Sequence, residues 1–312
     1  MTKVLITGFS GFVGSHLLDD LKNDFQIKLV GRNKPLGEYD FLQTSIDGST
    51  DFSPILQDVD LVIHVAARAH IMNDTATDPL EEFRAVNVRG TLNLAHQAAQ
   101  SGVKRFIYIS SIKVNGEQTP FEKPFKFSDQ RMPEDAYGLS KSEAEEQLMS
   151  LAKQTGMEYV FIRPPLVYGK GVKANFSALM KLAGKKLPLP FGAINANKRS
   201  LVSVYNLIDL IKVCIEHPHA ANQTFLVSDG DDLSTTSMVK LMAEVQGVKP
   251  LLVPLPVWSL KLLGKITGKS DMISRLTDSL RVDITHTQET LNWTPPFSVK
   301  EGFAKCIENK DV

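Results

Sequence analysis

Near-continuous apolar runs punctuate the first two-thirds of the chain, at 3–7, 26–30, 61–65, 105–110 and 159–163. Each is rich in Val, Ile, Leu or aromatic residues and lacks polar alternation, the pattern expected when helices cover both faces of a sheet. Helical periodicity fills the intervals around 13–22, 79–101 and 136–154. Strands alternating with helices predict right-handed βαβ units and a parallel sheet, an α/β fold. After Pro164 the rhythm breaks. Residues 170–200 are rich in Gly, Pro and Lys, and the remainder mixes helices with short strands at 224–228 and 251–253. The expected organisation is a first domain over 1–165, with 201–217 folding back onto it, and a smaller α/β lobe over 166–312. In the segment 257–268, Trp258, Leu262 and Leu263 share one side of a helix and Lys261 and Lys265 another. A buried apolar face with solvated lysines is expected there, with contact at a membrane surface as the alternative.

Composition adds mainly exclusions. The 312 residues carry 35 basic and 35 acidic side chains, a formal net charge of zero, which argues against a general nucleic-acid binder. Two cysteines, Cys214 and Cys306, are too few for a disulfide framework and read as reduced packing residues. No His/Cys cluster suggests a metal site. The N-terminal stretch lacks the apolar length of a signal peptide, and no run approaches the roughly 20 residues of a membrane span. The expectation is a cytoplasmic, soluble protein.

The first strand is followed at once by Gly8-Phe-Ser-Gly11-Phe-Val-Gly14, opening a helix. Glycines at such a junction permit a tight turn and let backbone N–H groups approach a pyrophosphate, with the helix N-terminus adding partial positive charge. This predicts a Rossmann-type doubly wound sheet binding a dinucleotide. The second strand ends in Gly31-Arg32. Where an acidic residue would favour NAD, the Arg32 guanidinium suits a 2′-phosphate. NADP(H) is therefore expected, with NAD as the alternative.

Tyr137 and Lys141 stand four residues apart, on one helical face. A phenol ordinarily titrates near 10; a neighbouring ammonium favours its ionised form and makes its proton more transferable. The strand at 105–110 leads into Ser110-Ser111, whose hydroxyls can meet a substrate oxygen beside the tyrosine.

With these features the chain resembles the extended short-chain dehydrogenase/reductases that act on nucleotide sugars. The resemblance runs through TGFSGFVG at 7–14, HVAA at 64–67, NVRGTLNL at 87–94, YISS at 108–111, YGLSK at 137–141, RPPLVYG at 163–169 and LNWTPPFSVKEGF at 291–303. It implies that Tyr137 is the general acid/base, that Lys141 lowers its pKa and holds the nicotinamide ribose, and that Ser111 rather than Ser110 is the catalytic hydroxyl. The cofactor would lie along Gly8, Ser10, Gly11, Phe12, Val13 and Gly14, with Ala66 and Ala67 lining its groove. Ser45 and Ile46 would lie near the adenine, and Asn87 would brace a helix or the cofactor. In the C-terminal lobe Asn175 and Arg199 match positions that contact the nucleotide sugar. A later family arginine falls near Ile273, which makes Arg275 a candidate, with Arg281 close by. The family commonly dimerises through the two long helices at 79–101 and 136–154. Phe83, Val86, Leu94 and Ala98 exceed what one sheet-facing stripe requires, which supports a homodimer.

Departures from the family pattern bear on the reaction. Sugar 4,6-dehydratases carry an Asp-Glu pair just after the catalytic hydroxyl, where this chain has Ile112 and Lys113; dehydration is not expected. Lys113 is solvated by default, although its position makes a substrate contact worth testing. Epimerases often have Tyr where this chain has Asn115. Together with Arg32 this favours reduction of a UDP-4-keto-6-deoxy-hexosamine by NADPH; the SSIKVNGE stretch resembles a branch of bacterial surface-polysaccharide pathways that includes both such reductases and 4-epimerases. The alternative is an NAD-dependent UDP-sugar 4-epimerase. A non-catalytic NADP-binding sensor or scaffold is a second alternative, disfavoured because Tyr137 and Lys141 are both present.

Overall fold

All five apolar runs enter one parallel sheet. A computed structural model describes residues 1–69, 78–120 and 122–308. Its strands are β1 (Lys3–Thr7), β2 (Gln26–Gly31), β3 (Asp40–Gln43), β4 (Leu61–His64), β5 (Arg105–Ile109) and β6 (Glu158–Arg163). The chain continues with β7 (Leu166–Tyr168), β8 (Pro188–Leu189), β9 (Leu201–Ser203), β10 (Gln223–Leu226) and β11 (Leu251–Leu252). The main sheet has the order β10-β6-β5-β4-β1-β2-β3, every pair parallel. The strand read as part of the smaller lobe at 224–228 thus closes the edge of the main sheet, because its Phe225 and Leu226 are as buried as any central strand. Chain order reverses between β1 and β4. In open α/β sheets that switch point leaves a crevice at the carboxyl ends of the strands, and ligands bind there.

Helices α1 (Phe12–Leu21), α2 (Ser53–Leu56), α3 (Pro79–Arg84), α4 (Thr91–Gln100) and α5 (Ala136–Thr155) belong to the first part of the chain. Later come α6 (Ala174–Ala183), α7 (Val204–Glu216), α8 (Thr235–Val245), α9 (Val257–Ile266), α10 (Ser270–Thr277), α11 (Thr285–Leu291) and α12 (Val299–Ile307). Successive side chains of a strand point to opposite faces. Val4 and Ile6 accordingly pack with Leu17 and Leu21 of α1 and Leu207 and Ile211 of α7. Leu5 packs on the other side with Leu94 and Ala98 of α4 and Leu148 of α5. A third core joins α6, α8 and α12 through Phe176, Met180, Met242 and Phe303 around the buried Tyr168.

Three expectations change. The periodicity at 79–101 does not make one helix: residues Ala85–Gly90 form a π-helical turn between α3 and α4. Phe83, Leu94 and Ala98 are buried within the chain itself, so they give no support to a dimer interface; Val86 is half-buried. Around 257–268 the apolar side faces out. Leu260 and Gly264 are the buried positions of α9, while Trp258, Leu262, Leu263 and Ile266 are exposed. No helix among the described residues is long and apolar enough to cross a membrane.

Candidate active site

The glycine loop sits at the switch point. Gly8 takes a left-handed φ of +73°, and a Cβ there would lie 2.5 Å from the Ala66 nitrogen. A Cβ on Gly14 would lie 2.1 Å from the Gly8 carbonyl oxygen. These two glycines are fixed by backbone approach, Gly8 to the segment after β4 and Gly14 to the turn itself. Gly11 donates its N–H to the Gly8 carbonyl at 3.0 Å, and beyond that oxygen a Cβ on Gly11 would meet open space. Among the described residues no side chain caps the start of α1. Its first N–H groups, at Phe12 and Val13, are therefore free to face an anion beside Gly11 and the exposed Ser10. This cradle fits a dinucleotide pyrophosphate.

The groove floor is a polar ladder missed in the sequence. The Ala66 N–H donates to Thr7 Oγ1 at 3.3 Å, Thr7 Oγ1 lies 2.7 Å from His64 Nδ1, and His64 Nε2 lies 2.9 Å from Thr91 Oγ1. Burial, with a smaller contribution from Lys141, pushes His64 down to about 3, so the ring is neutral. The HVAA string contained the signal, but within an apolar strand a histidine reads as packing.

Arg32 and Ser45 are exposed at the ends of β2 and β3. The Arg32 carbonyl accepts from Gln43 at 3.0 Å, and its guanidinium makes no hydrogen bond or ion pair among the described residues. Ser45 Oγ donates to Asp47 at 2.7 Å. Ile46 presses on the π turn, where a Cβ on Gly90 would lie 2.8 Å from the Ile46 oxygen. Asn87, on that turn, is a brace. Its Oδ1 accepts from the Arg68 N–H at 2.8 Å, and its Nδ2 donates to the Arg68 carbonyl and Ser140 Oγ, both at 3.0 Å. The segment continuing from Ala67 is thereby tied to α5.

Two caps bring Ser111 and Tyr137 together. Asp135 caps α5 by accepting from the Gly138 N–H at 2.7 Å, which sets Tyr137 in the first turn. Ser111 caps the short turn Ile112–Val114, its Oγ accepting from the Lys113 N–H at 3.2 Å. With that lone pair engaged, the Ser111 hydroxyl hydrogen-bonds Tyr137. Gly138 lets the caps meet: a Cβ there would lie 2.7 Å from the Lys113 carbonyl oxygen. Lys141 is fully buried. Its Nζ donates to the Ile109 carbonyl at 2.8 Å and stands 4.3 Å from the centre of the Tyr108 ring and 6.0 Å from that of Tyr137. Ser110 is buried, its hydroxyl without a hydrogen-bond partner among the described residues.

The electrostatics differ from the simple ammonium–phenol expectation. Burial pushes the Tyr137 phenol up to about 12, Asp135 adds to that, and the Ser111 hydrogen bond opposes it. Burial pulls Lys141 down to about 7, with Glu145 opposing. The ammonium is itself half-titrated near neutrality, too weak a charge to outweigh the desolvation of the phenol.

Lys113 is not simply solvated: its ammonium pairs with Glu117 and with the α5 cap Asp135. Asn115 is buried structure, accepting from Arg163 Nη1 at 2.9 Å and donating to the Lys126 carbonyl at 3.1 Å. On the side of the C-terminal lobe, Arg199 donates to the Asp278 carbonyl at 3.2 Å. Burial first, then Arg275, holds its pKa below the usual guanidinium value, against Asp278 and Glu117. Arg199 and Arg275 therefore share one neighbourhood, and Glu117 links it to the Lys113 turn. Arg281 is tied to Asp232 at 2.6 Å. Asn175 is exposed on the first turn of α6 and makes no hydrogen bond to either arginine.

Residues 4–228 match the NAD dependent epimerase/dehydratase family. The UDP-glucose 4-epimerase of Vibrio cholerae is 55% identical over 310 residues, covering 98% of this chain and 94% of that protein. The UDP-glucose 4-epimerase structure from Thermotoga maritima has a TM-score of 0.76 at 22% identity, covering 98% of this chain and 97% of that one. The UDP-N-acetylglucosamine 4-epimerase structure from Bacillus cereus gives 0.78 at 19%, covering 98% and 95%. These two show the shared fold. The Vibrio relative, similar from end to end, overturns the expectation of a 4-keto reductase. That expectation leaned on Asn115, which the fold uses for a buried bond to Arg163, and on Arg32, which is a surface residue. The chain belongs to the NAD dependent epimerase/dehydratase family, whose enzymes use NAD(P).

Proposed function

We propose that the protein is an NAD-dependent 4-epimerase of a UDP-hexose, of the UDP-glucose/UDP-galactose type. The observation that carries this is the 55% identity to a UDP-glucose 4-epimerase across both parts of the chain. The geometry supplies suitable chemistry. NAD held beside Tyr137 would supply a hydride acceptor and donor for sugar C4, so that no external reductant would be consumed. Tyr137 accepts the proton of the C4 hydroxyl as hydride leaves and gives it back as hydride returns. Ser111, already hydrogen-bonded to Tyr137, holds the same oxygen. Lys141, anchored on the Ile109 carbonyl 6.0 Å from the centre of the Tyr137 ring, favours the phenolate in its protonated fraction, only partly offsetting the desolvation of the phenol. Gly8, Gly11, Gly14 and the start of α1 hold the pyrophosphate, Ala66 and Ala67 the groove, and Ser45 and Ile46 the adenine side. Arg199 and Arg275 neutralise the UDP diphosphate, with Asn175 contributing from α6. A closed hydride cycle suits tightly held NAD, and Arg32 is then a surface cation beside the adenosine. Both ligands are small molecules of the cytoplasm, where the enzyme would act.

The test is to purify the protein, identify the nucleotide released on denaturation, and assay UDP-galactose against UDP-glucose with no cofactor added. Bound NAD and interconversion of the two are expected. Tyr137→Phe should lower kcat by about 10²–10⁴ while retaining NAD. Failure to interconvert UDP-hexoses under saturating NAD overturns the reading.

A further inference from the structure

Helix α9 carries its larger apolar side outward. Trp258, Leu262 and Ile266 recur every four residues and are 70%, 51% and 73% exposed, with Leu263 beside them at 54%. Leu260 and Gly264 form the packed edge; a Cβ on Gly264 would meet Ile273 of α10 at 2.9 Å. Leu255, just before the helix, and Met272, just after it, extend the exposed surface. Single exposed apolar residues are common, but a contiguous stripe of large ones marks a surface that something covers.

Charge identifies what covers it. Residues 249–278 carry five basic and two acidic side chains in a chain of zero net charge. Lys261 and Lys265, one turn apart, flank the stripe, and Lys269 follows it. Lys261 pairs with Asp278 at 3.1 Å; Lys265 and Lys269 have no partner among the described residues. A tryptophan-bearing apolar face edged by lysines on a short helix is the make-up of a segment that lies in a bilayer interface.

We propose that this face of α9 docks the protein on an anionic phospholipid surface. Trp258, Leu262 and Ile266 enter the boundary between headgroups and acyl chains, and Lys265 and Lys269 meet the lipid phosphates. The ten residues of α9 measure about 15 Å, against about 30 Å for a hydrocarbon core, so the helix lies on the membrane and does not cross it. A second copy is the poorer occupant: a two-fold contact across this stripe sets the same lysines against each other. Because α9 packs on α10, the docked surface adjoins the part of the lobe that holds Arg275.

The experiment is vesicle flotation of the full chain with phosphatidylglycerol/phosphatidylethanolamine and with phosphatidylcholine vesicles. Flotation with the anionic vesicles, at least 10-fold weaker on phosphatidylcholine and reduced by 0.5 M salt, is expected. Leu262→Ser/Ile266→Ser and Lys265→Glu/Lys269→Glu should each abolish it while leaving UDP-hexose turnover or thermal unfolding unchanged. Trp258 should shift its emission to the blue on binding; the chain's other tryptophan, Trp293, is already buried. No flotation, or flotation that both double variants retain, overturns the proposal. So does a dimer that Leu262→Ser/Ile266→Ser converts to monomer, since the stripe would then be a contact between copies.

Discussion

Lys141 shows a single residue held against its own preference. A lysine ordinarily titrates near 10.4, yet burial brings this one to about 7. The folded chain therefore binds fewer protons than the unfolded chain between about pH 7 and 10. Stability rises with pH across that window, and the full penalty of the buried ammonium is felt below it. Lys141→Met removes the penalty. The ligand-free variant should unfold at a higher temperature than the parent, by several degrees at pH 6.5, the gain shrinking as pH climbs toward 10. Turnover should be lost in the same variant, because the phenol of Tyr137, pushed up to about 12, then has no cation beside it. Calorimetry at three pH values checks the first part; a variant less stable at pH 6.5 contradicts it. Strain kept at a working site commonly trades stability against activity in this way.

At the scale of elements, what the sequence revealed depended on how much of a segment's behaviour is local. Strands β1, β4, β5 and β6 were legible because both faces are buried and their apolar runs are unbroken. Strand β3 was not: Asp40–Gln43 is polar at both ends and half-exposed at the sheet edge. The short pairs β7–β9 and β8–β11 depend on partners more than 30 residues away, which no local pattern reports. The glycine loop and the Tyr137/Lys141 spacing could be read directly, since turn and helix geometry fix them. The Thr7–His64–Thr91 ladder and the Lys113–Asp135 ion pair could not, because they join residues from separate elements. Gly138 is the sharpest case, looking like an ordinary helix-weakening glycine until the Lys113 carbonyl is seen against it. Gly138→Ala puts a methyl 2.7 Å from that oxygen, and backbone cannot yield as a side-chain tip would. The first turn of α5 must move, carrying Tyr137 away from Ser111. We expect kcat to fall by more than about 10-fold, as small misplacements of a catalytic group do, with the circular dichroism spectrum unchanged. Wild-type turnover would show that the two caps are not what aligns the pair.

Across the whole molecule, the main sheet and the core formed by α6, α8 and α12 are joined by a buried polar knot. Tyr168 donates to Asp229 at 2.5 Å, and Asp229 also accepts from the Ser203 N–H at 2.8 Å and Asn206 Nδ2 at 2.7 Å. Asn206 reaches on to the Phe297 carbonyl at 2.8 Å, and Tyr168 stacks on Phe176. Burial raises Asp229 above the usual carboxylate range, while Tyr168, Ser203 and Asn206 hold it down. Tyr168→Phe keeps the ring packing and removes one of those donors. The carboxylate must then be buried with poorer compensation, costing about 1–3 kcal/mol, or roughly 1.5–4.5 °C in a chain of this size. The sign with pH follows from which form is penalised. A carboxyl whose folded pKa is raised retains extra protons in the folded state, so stability falls as pH rises through the titration. Removing the Tyr168 hydroxyl raises Asp229 further, and the variant's deficit should be larger at pH 8 than at pH 5. Thermal unfolding of both proteins at the two pH values measures this; a deficit independent of pH would mean that the lost hydroxyl, and not the charge on Asp229, sets the cost.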